Sequence, residues 1–167
     1  MRWNTSSGPA SRHSWRGSRQ NPKHKPNITE VPMAHQRIRP YEHQMEYEGE
    51  AFEYELAMAV RAGNRIFVRG QTGLDFDGNF VGEGDPALQA ENAMKCTEVL
   101  LTEAGGQLSD IVKTTVYLTD REFRVPVFSV LARWLKGVRP CQTGLIVNGL
   151  ARPEMLMEID VEAVIDR

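Results

Sequence analysis

The most regular pattern in the chain lies near its C-terminus, where Met155, Met157, Ile159, Val161, Ala163 and Ile165 alternate with Glu158, Asp160 and Glu162. Successive side chains of a strand point to opposite faces, so residues 155–165 are predicted to form a long strand with one apolar and one acidic face. A shorter alternation over 111–118 sets Val112, Thr114, Val116 and Leu118 on one face and Lys113 and Thr115 on the other, which predicts a second half-buried strand. Strands are also expected at 56–60 and 65–68, joined through the turn-forming residues Ala62, Gly63 and Asn64, and at 143–147.

Between these strands the period changes. Ala90, Ala93, Met94, Thr97, Leu101 and Ala104 recur at three- and four-residue spacing, which predicts an amphipathic helix. Asp85 is placed to cap its free amides, and Pro86 suits the first turn because its missing N–H has no helical partner there. Gly105 and Gly106 end it. A second helix is expected from about Phe123, with Val127, Val130, Leu131 and Trp134 on its inner side and Gly137 and Pro140 beyond its end. Two strands, a helix, a strand, a helix and two strands predict an α+β fold, a mixed sheet with two helices over one face. The other face mixes polar groups with Leu145, Val147 and Leu156, and closed oligomerisation is a common way to cover such a face.

Charge divides the chain. Eight lysines or arginines and one acid, Glu30, precede Pro40, in a stretch rich in Ser, Gly, Pro and Asn and without apolar periodicity. Such a composition buries too little surface to offset the entropy of ordering it. Residues 1–45 are therefore read as a disordered basic tail and 52–167 as one domain. Three explanations of the tail remain open: an arm for nucleic acid or another anionic surface, a targeting peptide, or a start codon set too far upstream, with Met33 as the alternative. The net charge of the chain is -2, so the remainder is acidic, and nucleic acid is not an expected partner except through the tail. No apolar run reaches the roughly 20 residues that a membrane helix needs, which points to a cytoplasmic protein. Cys96 and Cys141 stand apart from each other and from any histidine, so neither a disulfide nor a metal site is expected. All four histidines fall before residue 52, leaving the domain without one for acid–base work.

Several segments carry a resemblance: VRGQ at 68–71, GEGD at 82–85, EAGGQLSDIVKTTVYLTD at 103–120 and LARPEMLMEI at 150–159. Together they are similar to the Rid/YjgF family. The resemblance implies a chorismate-mutase-like fold, a homotrimer with a ligand cleft at each subunit interface, and cofactor-independent hydrolysis of reactive enamines and imines to keto acids and ammonia. It is the chemistry of a 2-iminobutanoate/2-iminopropanoate deaminase. In the family an arginine in a P-x-R motif grips the substrate carboxylate with a planar fork of donors, and a glutamate on the last strand handles water.

Transferred to this chain, the glutamate role falls on Glu158. The P-x-R position holds Gln142, within Pro140-Cys141-Gln142. Arg69 stands where relatives carry a small residue before Gly-Gln, Leu56 aligns with a tyrosine and Phe128 with an asparagine. The arrangement expected is that Arg69 holds a ligand carboxylate, Gln142 and Thr143 supply hydrogen bonds, Leu56 and Phe128 form an apolar wall, and Glu158 positions water. Each residue also has a plainer reading. Arg69 can simply pair with an acid, Glu158 can belong to a solvated row, Gln142 and Thr143 can satisfy loop backbone, and Leu56 and Phe128 can be core. The alternative function is a non-catalytic trimer that binds a small carboxylate-bearing metabolite.

Overall fold

The structure is a computed structural model that describes residues 35–47 and 49–166. Its elements are β1 (Gln36–Tyr47), β2 (Glu50–Ala62), β3 (Arg65–Gln71), α1 (Pro86–Glu103), β4 (Ile111–Leu118), α2 (Arg124–Trp134), β5 (Cys141–Ile146) and β6 (Met157–Val164). The strands form one six-stranded sheet in the order β1-β2-β3-β6-β4-β5. All pairs are antiparallel except β4 with β5, which α2 joins as a crossover. The expected α+β class, a mixed sheet with two helices, is the observed one.

Alternation places the core. Met157, Ile159, Val161 and Ala163 of β6 are buried, as are Ile66 and Val68 of β3 and Val116 and Leu118 of β4. They pack under Met94, Leu100 and Leu101 of α1 and Val127, Val130 and Leu131 of α2. Asp85 caps α1, its carboxylate accepting from the Ala87 and Leu88 amides at 2.9 and 3.1 Å. Gly63, at φ +63°, makes the β2–β3 turn possible, since an L side chain is strained in that conformation.

Three expectations change. Residues 36–45 were assigned to the tail, but Gln36–Tyr47 is strand β1. Its ladder runs along β2 from Gln36↔Arg61 to Tyr47↔Glu50, whereas β2 pairs β3 only over Ala59–Ala62. Much of β1 and β2 is thus a two-stranded ribbon exposed on both sides, and such an element leaves a weak burial signature in sequence. The charged segment up to residue 34 lies outside the described residues, and with it the three explanations of that segment. Second, Val112 does not share the inner face of β4. The β4–β6 register shifts between Ile111 and Lys113, Ile111 is buried and Val112 is 44% exposed, because a bulge resets the parity of a strand. Third, His43 belongs to the folded domain, on β1.

Candidate functional site

The decisive local feature is a break in the β3–β6 ladder. Val68 opposes Val161 and Gln71 opposes Ile159, so Arg69 and Gly70 together face the single residue Asp160. Arg69 continues the exposed alternation of Arg65 and Phe67 on the face that the helices do not cover, and the β-bulge brings Gly70 onto that same face. Gly70 leaves room beside Arg69. A Cβ there would overlap the Glu158 carboxylate and lie 2.7 Å from Glu158 Cγ, so the absence of a side chain lets Glu158 rest on the β3 backbone. Gln71, buried behind the bulge, donates to the Arg69 carbonyl at 2.9 Å and holds it in shape.

Around the bulge the uncovered face reads as cross-strand rows. Thr143 opposes Thr115, and Thr115 opposes Asp160; Leu145 opposes Tyr117, and Tyr117 opposes Glu158. The Tyr117 hydroxyl donates to Asp160 Oδ2 at 3.0 Å, and that bond raises the tyrosine pKa, so the phenol stays protonated. Glu158 is half-buried. Its carboxyl pKa is raised, first by burial and then by the neighbouring charge of Asp160, while Arg69 pulls in the opposite direction. Glu162, further along the strand, is held by Arg65 at 3.3 Å and Lys113 at 3.2 Å, an exposed cluster of the kind that contributes little. Among the described residues no group of His, Cys, Asp and Glu is arranged to hold a metal ion.

Arg69 is anchored from the other side. Its Nη1 donates to the Tyr41 hydroxyl and lies 3.7 Å from Met58 Sδ, with the guanidinium 5.5 Å from the Tyr41 ring centroid. Leu56 is the direct cross-strand partner of Tyr41, so it borders this group.

The six residues expected from sequence therefore separate into two sets. Arg69, Glu158 and Thr143 lie on the uncovered face, with Thr143 two strands, roughly 10 Å, from β6; Leu56 joins them through Tyr41. Gln142 and Phe128 lie on the opposite, helix side of β5. Gln142 opposes the buried Thr114 and donates to its hydroxyl at 3.1 Å. It lines a shallow depression of about 320 Å³ with Phe128, Leu131, Ala132, Leu135 and Pro140. Phe128 sits against Gly144, where a Cβ would come within 3.0 Å of the ring. One chain does not bring the amide of Gln142 to the guanidinium of Arg69.

Sequence reasoning missed Tyr41, Gly70, Tyr117 and Asp160. Asp160 shares the alternation that singled out Glu158, and Tyr117 lies in the strand predicted beside it, so both were within reach. Tyr41 was not, because it had been assigned to the tail.

A mixed sheet roofed by two helices on one side, with Glu158, Asp160 and Arg69 on the bare side, places the chain among small α+β proteins. The match to the family model Endoribonuclease L-PSP over residues 50–165 makes the assignment: the chain belongs to that family, the Rid/YjgF group. It is 31% identical over 101 residues to the 3-aminoacrylate deaminase RutC of Acinetobacter baylyi, covering 60% of this chain and 79% of that one. Among solved structures, a member of the YjgF/YER057c/UK114 family from Mycobacterium tuberculosis superposes with a TM-score of 0.59 at 32% identity, covering 66% of this chain and 86% of that chain. RidA from a Psychrobacter species does so at 0.61 and 29%, covering 66% and 88%. Strand β1 precedes the matched segment.

Proposed function

We propose that the protein hydrolyses reactive enamines and imines of amino-acid origin to keto acids and ammonia, in a cleft completed between two copies of the chain. The observation that carries the proposal is Glu158, a half-buried carboxylate with a raised pKa, seated on Gly70 beside the Arg69 guanidinium. A carboxylate held in that state is a better base than an exposed one, and it lies where a water and an electrophilic carbon can meet. Similarity to a 3-aminoacrylate deaminase supports the same reaction class.

In the reaction, Arg69 pairs with the substrate carboxylate and fixes the C=N carbon over β6. Water adds to the carbon of the protonated imine as Glu158 takes one of the water's protons, which gives a neutral carbinolamine. Glu158 then returns that proton to the nitrogen, the C–N bond breaks as the hydroxyl proton passes back to Glu158 and the carbonyl forms, and ammonia and the keto acid leave, the last proton going from Glu158 to solvent. An enamine enters by tautomerising to the imine. No oxidant, reductant or cofactor is needed. The reactive C=N bond hydrolyses unaided, so modest stabilisation suffices.

The separation of Gln142 and Phe128 from Arg69 supports assembly. In a head-to-tail ring, here a trimer, the β5–α2 edge of one copy meets the uncovered face of the next and brings the two sets together. The test is keto-acid release from freshly generated 2-aminoacrylate. We expect Glu158→Gln and Arg69→Ala each to lower the rate at least about 100-fold, the scale of a lost general base or charged clamp. Wild type no faster than buffer would overturn the reading.

One observation favours the second reading, a non-catalytic metabolite-binding trimer: the amide at the arginine position is already bonded to Thr114. That reading predicts a rise in melting temperature with keto acids and no turnover.

A further inference from the structure

Two acids share the uncovered face of β6, and the strands on either side treat them differently. Glu158 and Asp160 stand two residues apart on one strand, so they project from the same side and their charges are neighbours. Glu158 leans over β3 into the space at Gly70, and among the described residues no protein group donates a hydrogen bond to its carboxylate. Asp160 is met from β4. In the ladder Tyr117 stands directly opposite Glu158, yet its hydroxyl crosses the diagonal and donates to Asp160 Oδ2 at 3.0 Å. A tyrosine is long enough to reach a diagonal neighbour in an antiparallel pair, and Glu158 is turned toward the other strand.

A hydrogen bond given to one carboxylate stabilises negative charge on that group and not on its neighbour. Two acids this close disfavour a second charge, so over a range of pH the pair holds one charge and one proton, and the phenol decides which acid has which. Burial of Glu158 against β3 acts in the same direction, and the raised pKa of Tyr117 keeps the phenol a donor. The other charged groups of this face leave that division in place. Arg69 of β3 draws Glu158 the opposite way, but its guanidinium is also engaged by Tyr41. Arg65 and Lys113 are taken up by Glu162. On β5 the titratable group is Cys141, opposite Lys113 rather than the acid pair.

We propose that Tyr117 is a positioning residue for the hydrolysis: by donating to Asp160 it fixes the negative charge there and leaves Glu158 as the carboxyl that takes up and returns the proton. Two neighbouring carboxyls thereby receive two roles from their surroundings, a fixed charge and a proton carrier. The effect on rate rests on the hydrolase reading given above, whereas the division of charge stands without it.

The test reads both carboxyls by 13C NMR titration of protein labelled in its aspartate and glutamate side chains, with Glu158→Gln and Asp160→Asn spectra to assign them. In the wild type Glu158 should keep its proton to a higher pH than Asp160, and in Tyr117→Phe the separation should narrow. The reverse order in the wild type, or a separation that Tyr117→Phe leaves unchanged, overturns the proposal. Turnover of freshly generated 2-aminoacrylate is the second readout. Tyr117→Phe should lower kcat about tenfold, part of the roughly 100-fold or more that a positioned base supplies, with KM nearly unchanged. The ascending limb of its pH–rate profile should move to lower pH. Added to Asp160→Asn, the same change should have almost no further effect, because the charge that Tyr117 fixes is gone. An equal loss in that background would mean that the tyrosine only supports the sheet, and would overturn the assignment. Circular dichroism melting verifies that each variant is folded. The two proposals fail separately. A wild type no faster than buffer removes the hydrolase reading while the titration still judges the division of charge, and an active enzyme whose pH profile Tyr117→Phe does not move removes only the role of Tyr117.

Discussion

At Gly70 a missing side chain decides where a carboxylate can go. Glu158 leans into the space, becomes half-buried beside Asp160, and its pKa rises. The group therefore favours the folded state most when protonated: its contribution is complete below the unfolded carboxyl value of about 4.3 and is lost as pH rises through the higher folded value. Glu158→Gln keeps the shape and removes the charge. Its melting temperature should exceed that of wild type by a few degrees at about pH 7 to 8, with the difference closing toward about pH 4, as followed by differential scanning calorimetry. A difference that does not vary with pH would mean that the carboxyl group is not strained by its surroundings. Stability gained at the expense of turnover is the pattern expected when an active site stores an unfavourable charge. Glu158 was legible from the alternation and the family motif. Its half-burial was not, because that depends on the Arg69–Gly70 bulge across the sheet.

Among the elements, α1 shows how one buried polar side chain joins distant segments. Gln89, fully buried, donates to the Gly82 and Glu154 carbonyls at 2.9 Å each and accepts from the Leu156 amide at 2.9 Å. It thereby ties the start of the helix to the loop that delivers β6. Gln89→Leu keeps the volume and strands three backbone groups. We expect a loss of about 2–4 kcal/mol in chemical denaturation, since each unsatisfied buried group costs about 1–3 kcal/mol and some relax to water. A loss under about 1 kcal/mol would mean that the loop finds other partners. The helix was legible from its period, its aspartate cap and its Gly-Gly end, all encoded within about twenty residues. The β1 strand was not. Its Tyr41, His43 and Met45 do alternate with glutamates and glutamine, but Pro40 and the adjoining cationic stretch gave the region the composition of a tail. Val112 misled for a different reason, since one inserted residue at a bulge reverses every face assignment before it.

On the scale of the whole molecule, Met33–Arg167 forms a compact unit by itself. A chain beginning at Met33 should therefore match the full chain in assembly mass and melting temperature, as measured by light scattering coupled to gel filtration and by calorimetry. Loss of assembly in the shorter chain would mean that the segment before Met33 takes part in it. The family, the fold class and the candidate residues Glu158 and Arg69 were present in the sequence alone, because periodicity, caps and turn residues act over a few positions and a family motif repeats them in order. Where those groups meet was decided only by tertiary structure. The register of β3 on β6 sets Arg69 beside Glu158, and the parallel pairing of β5 on β4 turns Gln142 to the helix side. Both depend on hydrogen-bonded contacts between segments far apart in the chain, and a local pattern does not encode the register of a partner it does not touch.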